Sequence, residues 1–166
     1  MIFKLADRYT LSRLDFKDPS VWAATWMGCG LMRPAPGTWG TLGALPFGVG
    51  LMFLGIPYLL LASILIFAVG YWASGKVERM TGEKDASLIV IDEAVGVWIA
   101  LIPASLSPLS VFWAFILFRA FDVFKPWPVS WFDQKMTGAA SVMLDDVMAG
   151  IYAALCLIGL RYAGLA

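Results

Sequence analysis

From Leu42 to Ala73 the chain carries no charged side chain. That run exceeds the roughly 20 apolar residues one membrane crossing needs. Gly55-Ile56-Pro57 interrupts it, so the residues predict two helices, 40–54 and 57–73, or one crossing and a re-entrant segment. Further apolar segments at 88–102, 109–124 and 144–161 complete the pattern, and 21–32 is apolar but too short to span. Composition agrees, with 60% of residues hydrophobic and 14% charged. Soluble domains average about 25% charged. The expected fold is all-α: an integral membrane bundle of about five transmembrane or partly spanning helices with an N-terminal amphipathic segment. It is expected as one domain, 1–36 being cytoplasmic or interfacial and 37–166 the bundle. Charges at Lys4, Asp7, Arg8 and Arg13 break up the N-terminus too often for a cleavable signal peptide.

Orientation follows from the cations. With five crossings, 11 of the 12 lysines and arginines fall on one side, Lys4 and Lys135 among them, and Arg161 falls on the other. The positive-inside rule makes the crowded side cytoplasmic. The turns at Gly55–Pro57 and Pro103–Pro108, on the far side, carry no charge. The formal net charge is zero and no basic run is present, so no nucleic-acid partner is expected.

Three acidic groups lie at or within the apolar segments: Asp85 with Asp92-Glu93, then Asp122, then Asp145-Asp146. A charged carboxylate at a helix centre costs roughly 2.5 to 3.5 kcal/mol on insertion scales, so such groups need a reason. An isolated one is more often a cap than a ligand, and Asp145 would serve as the cap of the last helix. Asp85 and Asp92 would share a face if one helix ran through both. All three groups fall on the cytoplasmic side, where they can converge. Clustered carboxylates suit a hard divalent cation such as Mg²⁺, which takes oxygen ligands and bridges to phosphate. Arg119 and Lys125, flanking Asp122, would hold that phosphate. The loop PAPGTWGT (34–41) is a second candidate anion site: glycines allow close approach, Thr38 and Thr41 offer hydroxyls, and a helix N-terminus follows. Its bland reading is a turn capped by Thr38.

Absences narrow the chemistry. There is no histidine, which excludes a Ser-His-Asp triad and a histidine nucleophile. The residue six after Cys29 is Ala35, where a cysteine phosphatase needs arginine. No DxDx[TV] pattern occurs, and no GK[ST] follows the glycine loop. Metal-assisted attack of water on phosphorus remains, or attack by a carboxylate.

At four ordered blocks the chain resembles the phosphatidylglycerophosphatase A family: PGTWGTLGALP (36–46), DASLIVIDEAVG (85–96), FRAFDVFKPWPVSWFD (118–133) and MLDDVMAG (143–150). The resemblance runs from Trp26 to Ala154. It implies an enzyme of the bacterial inner membrane that uses magnesium to remove the terminal phosphate of a membrane phospholipid, phosphatidylglycerophosphate. It further implies Asp85, Asp92, Glu93, Asp122, Asp145 and Asp146 as the acidic metal and catalytic positions, with Lys125 as phosphate partner. One rival is a CDP-alcohol phosphotransferase, whose DGxxAR motif is missing here. Another is a small cation transporter, which would place carboxylates near mid-membrane or on both sides. A non-catalytic scaffold would tolerate neutral residues at the acidic positions.

Overall fold

The computed structural model describes residues 8–131 and 138–166. Lys4, Asp7, Lys135 and the first seven residues of the N-terminal segment lie outside the described residues. Seven α-helices are described: α1 (Arg8–Ser12), α2 (Pro19–Ala24), α3 (Pro36–Leu54), α4 (Ile56–Thr81), α5 (Ile91–Leu101), α6 (Pro108–Phe124) and α7 (Ala139–Tyr162). A 3₁₀ turn, Cys29–Leu31, leads from α2 towards α3. No strand occurs among the described residues.

The five expected apolar helices are therefore present as α3 to α7. Gly55, at φ +115°, ends α3 and starts α4, so 40–73 forms two helices, each long and apolar enough to cross a bilayer. A residue with a Cβ would be strained in that turn. α7 meets the same test of length and apolarity. α6 has 17 residues and α5 only 11, giving α5 a length of about 16 Å against a hydrocarbon core of ~30 Å.

Three boundaries differ from the sequence expectation. α4 continues past Ala73 to Thr81, because SGKVERMT holds good helix formers although it is polar. α5 begins at Ile91 rather than 88, and the backbone N–H of Val90 donates to Ala24 O at 2.8 Å instead of joining a helix. α7 begins at Ala139, five residues early.

Contacts along the helices fix their directions. Gly75 of α4 faces Ala139 at the start of α7, and Gly70 faces Met143. Gly37 at the start of α3 faces Glu93 at the start of α5 and Arg119 near the end of α6. α3, α5 and α7 thus run one way, and α4 and α6 run back. At the opposite end Arg161 Nη1 donates to Pro103 O. α5 is the central helix, touching α3, α4, α6 and α7, and most of its residues are buried. α4 turns Leu60, Leu61, Ile64 and Leu65 outward, as a lipid-facing helix does.

At the charged end, α2 lies against α4. Asp18 caps α2 by accepting from Ser20 N at 2.9 Å, and it pairs with Lys76 Nζ of α4 at 2.5 Å. The hydrogen bond from Lys76, then that from Ser20, hold the Asp18 carboxyl at about 2.

Candidate metal centre

Asp92 and Glu93 occupy the first turn of α5, where the helix dipole favours negative charge. Asp145 and Asp146 lie nearly two turns inside α7. Asp145 is therefore not a cap; the cap position is Gly138. Neither is Thr38 the cap of α3, since Ala35 stands there without a side-chain cap bond. The Asp85–Asp92 face is also absent. Residues 82–90 are not helical, and Asp85 is exposed at φ +51°.

Three of the expected acidic residues converge. One carboxylate oxygen each from Asp92, Glu93 and Asp146 lies within 4.8 Å of the others. The means of convergence is visible in the helix backbones. Gly96 is one turn beyond Asp92, and Gly150 is one turn beyond Asp146. A Cβ on Gly150 would collide with Gly96 O, and a Cβ on Gly96 would lie 2.8 Å from Asp146 O. Only glycine at both positions lets α5 and α7 touch backbone to backbone, which carries the two aspartates together. Gly37 of α3 stands close by: a Cβ there would meet the side-chain ends of Glu93 and Arg119.

The other three acidic residues lie outside this 4.8 Å group. Asp122 pairs with Arg119 at 2.5 Å, and the same guanidinium lies 3.7 Å from Glu93. Asp145 Oδ2 pairs with Lys125 Nζ at 2.5 Å, and its Oδ1 accepts from Asp146 N at 3.1 Å. Asp85 is exposed in the non-helical segment that precedes α5. Thr41 is buried, donates to Gly37 O at 2.8 Å and lies 3.5 Å from Arg119 Nη1. Thr38 makes no side-chain contact that ties it to the acidic trio among the described hydrogen bonds.

The trio is deeply placed. Asp92 is 7% exposed and Asp146 is 3% exposed. Glu93 Oε2 is buried and has no hydrogen-bond partner among the described residues. Three carboxylates this close repel one another, and burial removes the water that would screen them. A divalent cation offsets both costs, and an all-oxygen donor set with one unsatisfied oxygen fits Mg²⁺.

The family model described as phosphatidylglycerophosphatase A matches residues 22–161. The chain belongs to that family. A Haemophilus influenzae protein named phosphatidylglycerophosphatase A is 38% identical over 162 residues, covering 95% of this chain and 98% of its own. An Escherichia coli protein of the same name is 35% identical over 144 residues, covering 86% and 84%. A Bacteroides thetaiotaomicron protein, named provisionally as a phosphatidylinositol-3-phosphatase, is 40% identical over 140 residues, covering 77% and 84%. No solved structure matches the chain. Within this chain, the four blocks that carried the resemblance supply the whole acidic cluster. Block 36–46 gives Gly37 and Thr41, 85–96 gives Asp92 and Glu93, 118–133 gives Arg119 to Lys125, and 143–150 gives Asp146 with Gly150.

Proposed function

We propose that this chain hydrolyses the terminal phosphomonoester of phosphatidylglycerophosphate to phosphatidylglycerol, using Mg²⁺ held by Asp92, Glu93 and Asp146. The observation that carries the reading is the convergence of those three buried carboxylates within 4.8 Å, in a chain of this family. When bound, the metal would polarise the phosphoryl oxygens and offset the charge that develops on them.

The protein's own groups divide the remaining work. Arg119 and Lys125 stand beside the trio and orient the phosphate, each positioned by its carboxylate partner, Asp122 and Asp145. Asp92 and Asp145 are the two candidates for general base. Each accepts from the amide of the following residue, but Asp145 also engages Lys125, which favours Asp92. Water attacks phosphorus and gives its proton to Asp92. The P–O bond to glycerol breaks, and the leaving oxygen takes that proton from Asp92 to become the free hydroxyl of the product. The acyl chains stay in the bilayer, so only the headgroup has to reach the site.

The site lies at the cation-rich end of the bundle, which supports a cytoplasm-facing position in the bacterial inner membrane. Such gathering at one end also speaks against the cation-transporter reading. The name of the Bacteroides relative favours one second reading, a phosphoinositide monoester as substrate, with the same bond broken.

Phosphate release by the detergent-purified protein tests the proposal, with phosphatidylglycerophosphate and phosphatidylinositol-3-phosphate as parallel substrates. Release from the first with Mg²⁺, stopped by EDTA and restored by added Mg²⁺, is expected. Preferred release from the second would favour the phosphoinositide reading, and no release from folded protein would overturn both.

A further inference from the structure

Both cations that the sequence offered for phosphate are already paired. Arg119 is bound to Asp122 and Lys125 to Asp145. Arg33 differs from them. Its Nε and Nη2 are buried and make no hydrogen bond to any described residue. A guanidinium does not give up its proton at physiological pH, so this half-buried side chain carries a charge with no counterion among the described residues. Burial already pulls it below the ordinary arginine value. Enclosed donors without a partner are unfavourable, and an incoming anion would satisfy these two.

Arg33 also stands in the right place along the chain. It begins the short Pro-rich segment that enters α3, and the first turn of α3 forms a wall of the acidic site through Gly37 and Thr41. Gly37 is four residues on, so the Arg33 backbone is at most roughly 14 Å from that wall. The proposed substrate carries two phosphates. One is the monoester that goes to the carboxylates. The other is the diester joining the headgroup to diacylglycerol, one glycerol away.

We infer that Arg33 is the binding residue for the diester phosphate, and that it selects a lipid headgroup bearing a second phosphate beyond the one hydrolysed. The inference rests on the proposed function for its substrate. Without a cation at that position, the acidic cluster would repel the diester. The guanidinium fork offsets this with two parallel hydrogen bonds to the phosphate oxygens.

The test uses the full-length protein in detergent, as wild type, Arg33→Gln and Arg33→Lys. Binding is measured for dihexanoyl phosphatidylglycerol, which has the diester and no monoester, and for dihexanoyl phosphatidic acid, which has the monoester and no diester. Arg33→Gln is expected to raise Kd for the first by roughly 10- to 100-fold, the worth of hydrogen bonds to a charged group. Kd for the second should rise much less. Arg33→Lys should recover part of the loss. Thermal unfolding without lipid separates this from a structural role: Arg33→Gln should unfold at the same or a higher temperature than wild type, because an unpaired buried charge is gone. Equal losses for both lipids, no loss for either, or a lowered unfolding temperature would overturn the inference. These bindings need no turnover, so failure of wild type to hydrolyse phosphatidylglycerophosphate would count against the proposed function alone.

Discussion

α4 and α7 are close in length and hydropathy. The first has 26 residues with a mean hydropathy of 1.9, and the second has 24 with 1.7. Yet 22% of the most apolar stretch of α4 is buried, against 44% of that of α7. α4 shows Leu60, Leu61, Ile64 and Leu65 to the lipid. α7 hides Asp146, Gly150, Ala153 and Leu157, a polar-to-small stripe at helical spacing. Hydropathy places both helices in the membrane, but it does not rank them. What marks α7 as central is the combination of intramembrane acid and small residues on one face. The acid is costly unless the interior uses it, and the small residues let α5 come close enough for that use.

The largest expected effects come from the face that α7 buries. Asp146→Asn, Asp92→Asn and Glu93→Gln should each lower kcat/KM by well over the roughly 10- to 100-fold that loss of a mere supporting partner costs a metal site. Leu61→Ala on the outer face of α4 should leave kcat/KM within about twofold, since surface changes of this kind are usually small. Phosphate-release assays on folded variants check both, and a weak effect of Asp146→Asn would break the contrast between the helices.

Next comes the contact that brings α5 to α7. Gly150→Val has to push α7 away from the Gly96 backbone. It should cost about 1–3 kcal/mol of stability and separate Asp146 from Asp92. Thermal unfolding and activity should both fall; retained full activity would show that the backbone contact does not set the site.

A smaller effect is expected from Lys125→Met, which leaves Asp145 without this partner. A loss of roughly 10- to 100-fold in kcat/KM is expected, as for other groups that orient a site. Lys125→Arg should restore part of it.

The smallest concerns the exposed end of α4. Asp18, held at about 2 by Lys76 and Ser20, favours the folded state while it is ionised. Its carboxyl has a lower pKa folded than unfolded. The contribution is therefore present above pH ~4 and is lost as pH falls from there through 2. Unfolding temperatures of wild type and Asp18→Asn should differ slightly at neutral pH and converge at the acid end of that window.

Much of this bundle was legible in its sequence. The charge-free run split at Gly55, the three later apolar segments and the one-sided cations correspond to α3 to α7 and their alternating directions. The misplaced boundaries share a cause. α4 outlasts its apolar run because polar residues such as Lys76 and Glu78 still favour helix, and hydropathy ignores that. α5 starts late because the backbone before it is claimed by α2 through Val90, a contact between distant residues. The early start of α7 buries Asp145 and Asp146 in the helix, where the sequence had left them near its edge. At the site, the acids were visible as unpaired costs, but which three would meet depended on Gly96 and Gly150. Arg33 gave no sign at all. It was one cation among the many on its side, and its lack of a partner is a property of packing.

The central claim is that Asp92, Glu93 and Asp146 together bind a divalent cation, and titration of Mn²⁺ into the detergent-purified protein, followed by electron paramagnetic resonance, tests it most directly. The account predicts saturable binding to wild type that Mg²⁺ displaces, lost in Asp146→Asn and retained in Asp85→Asn. Equal binding by wild type and Asp146→Asn would contradict it.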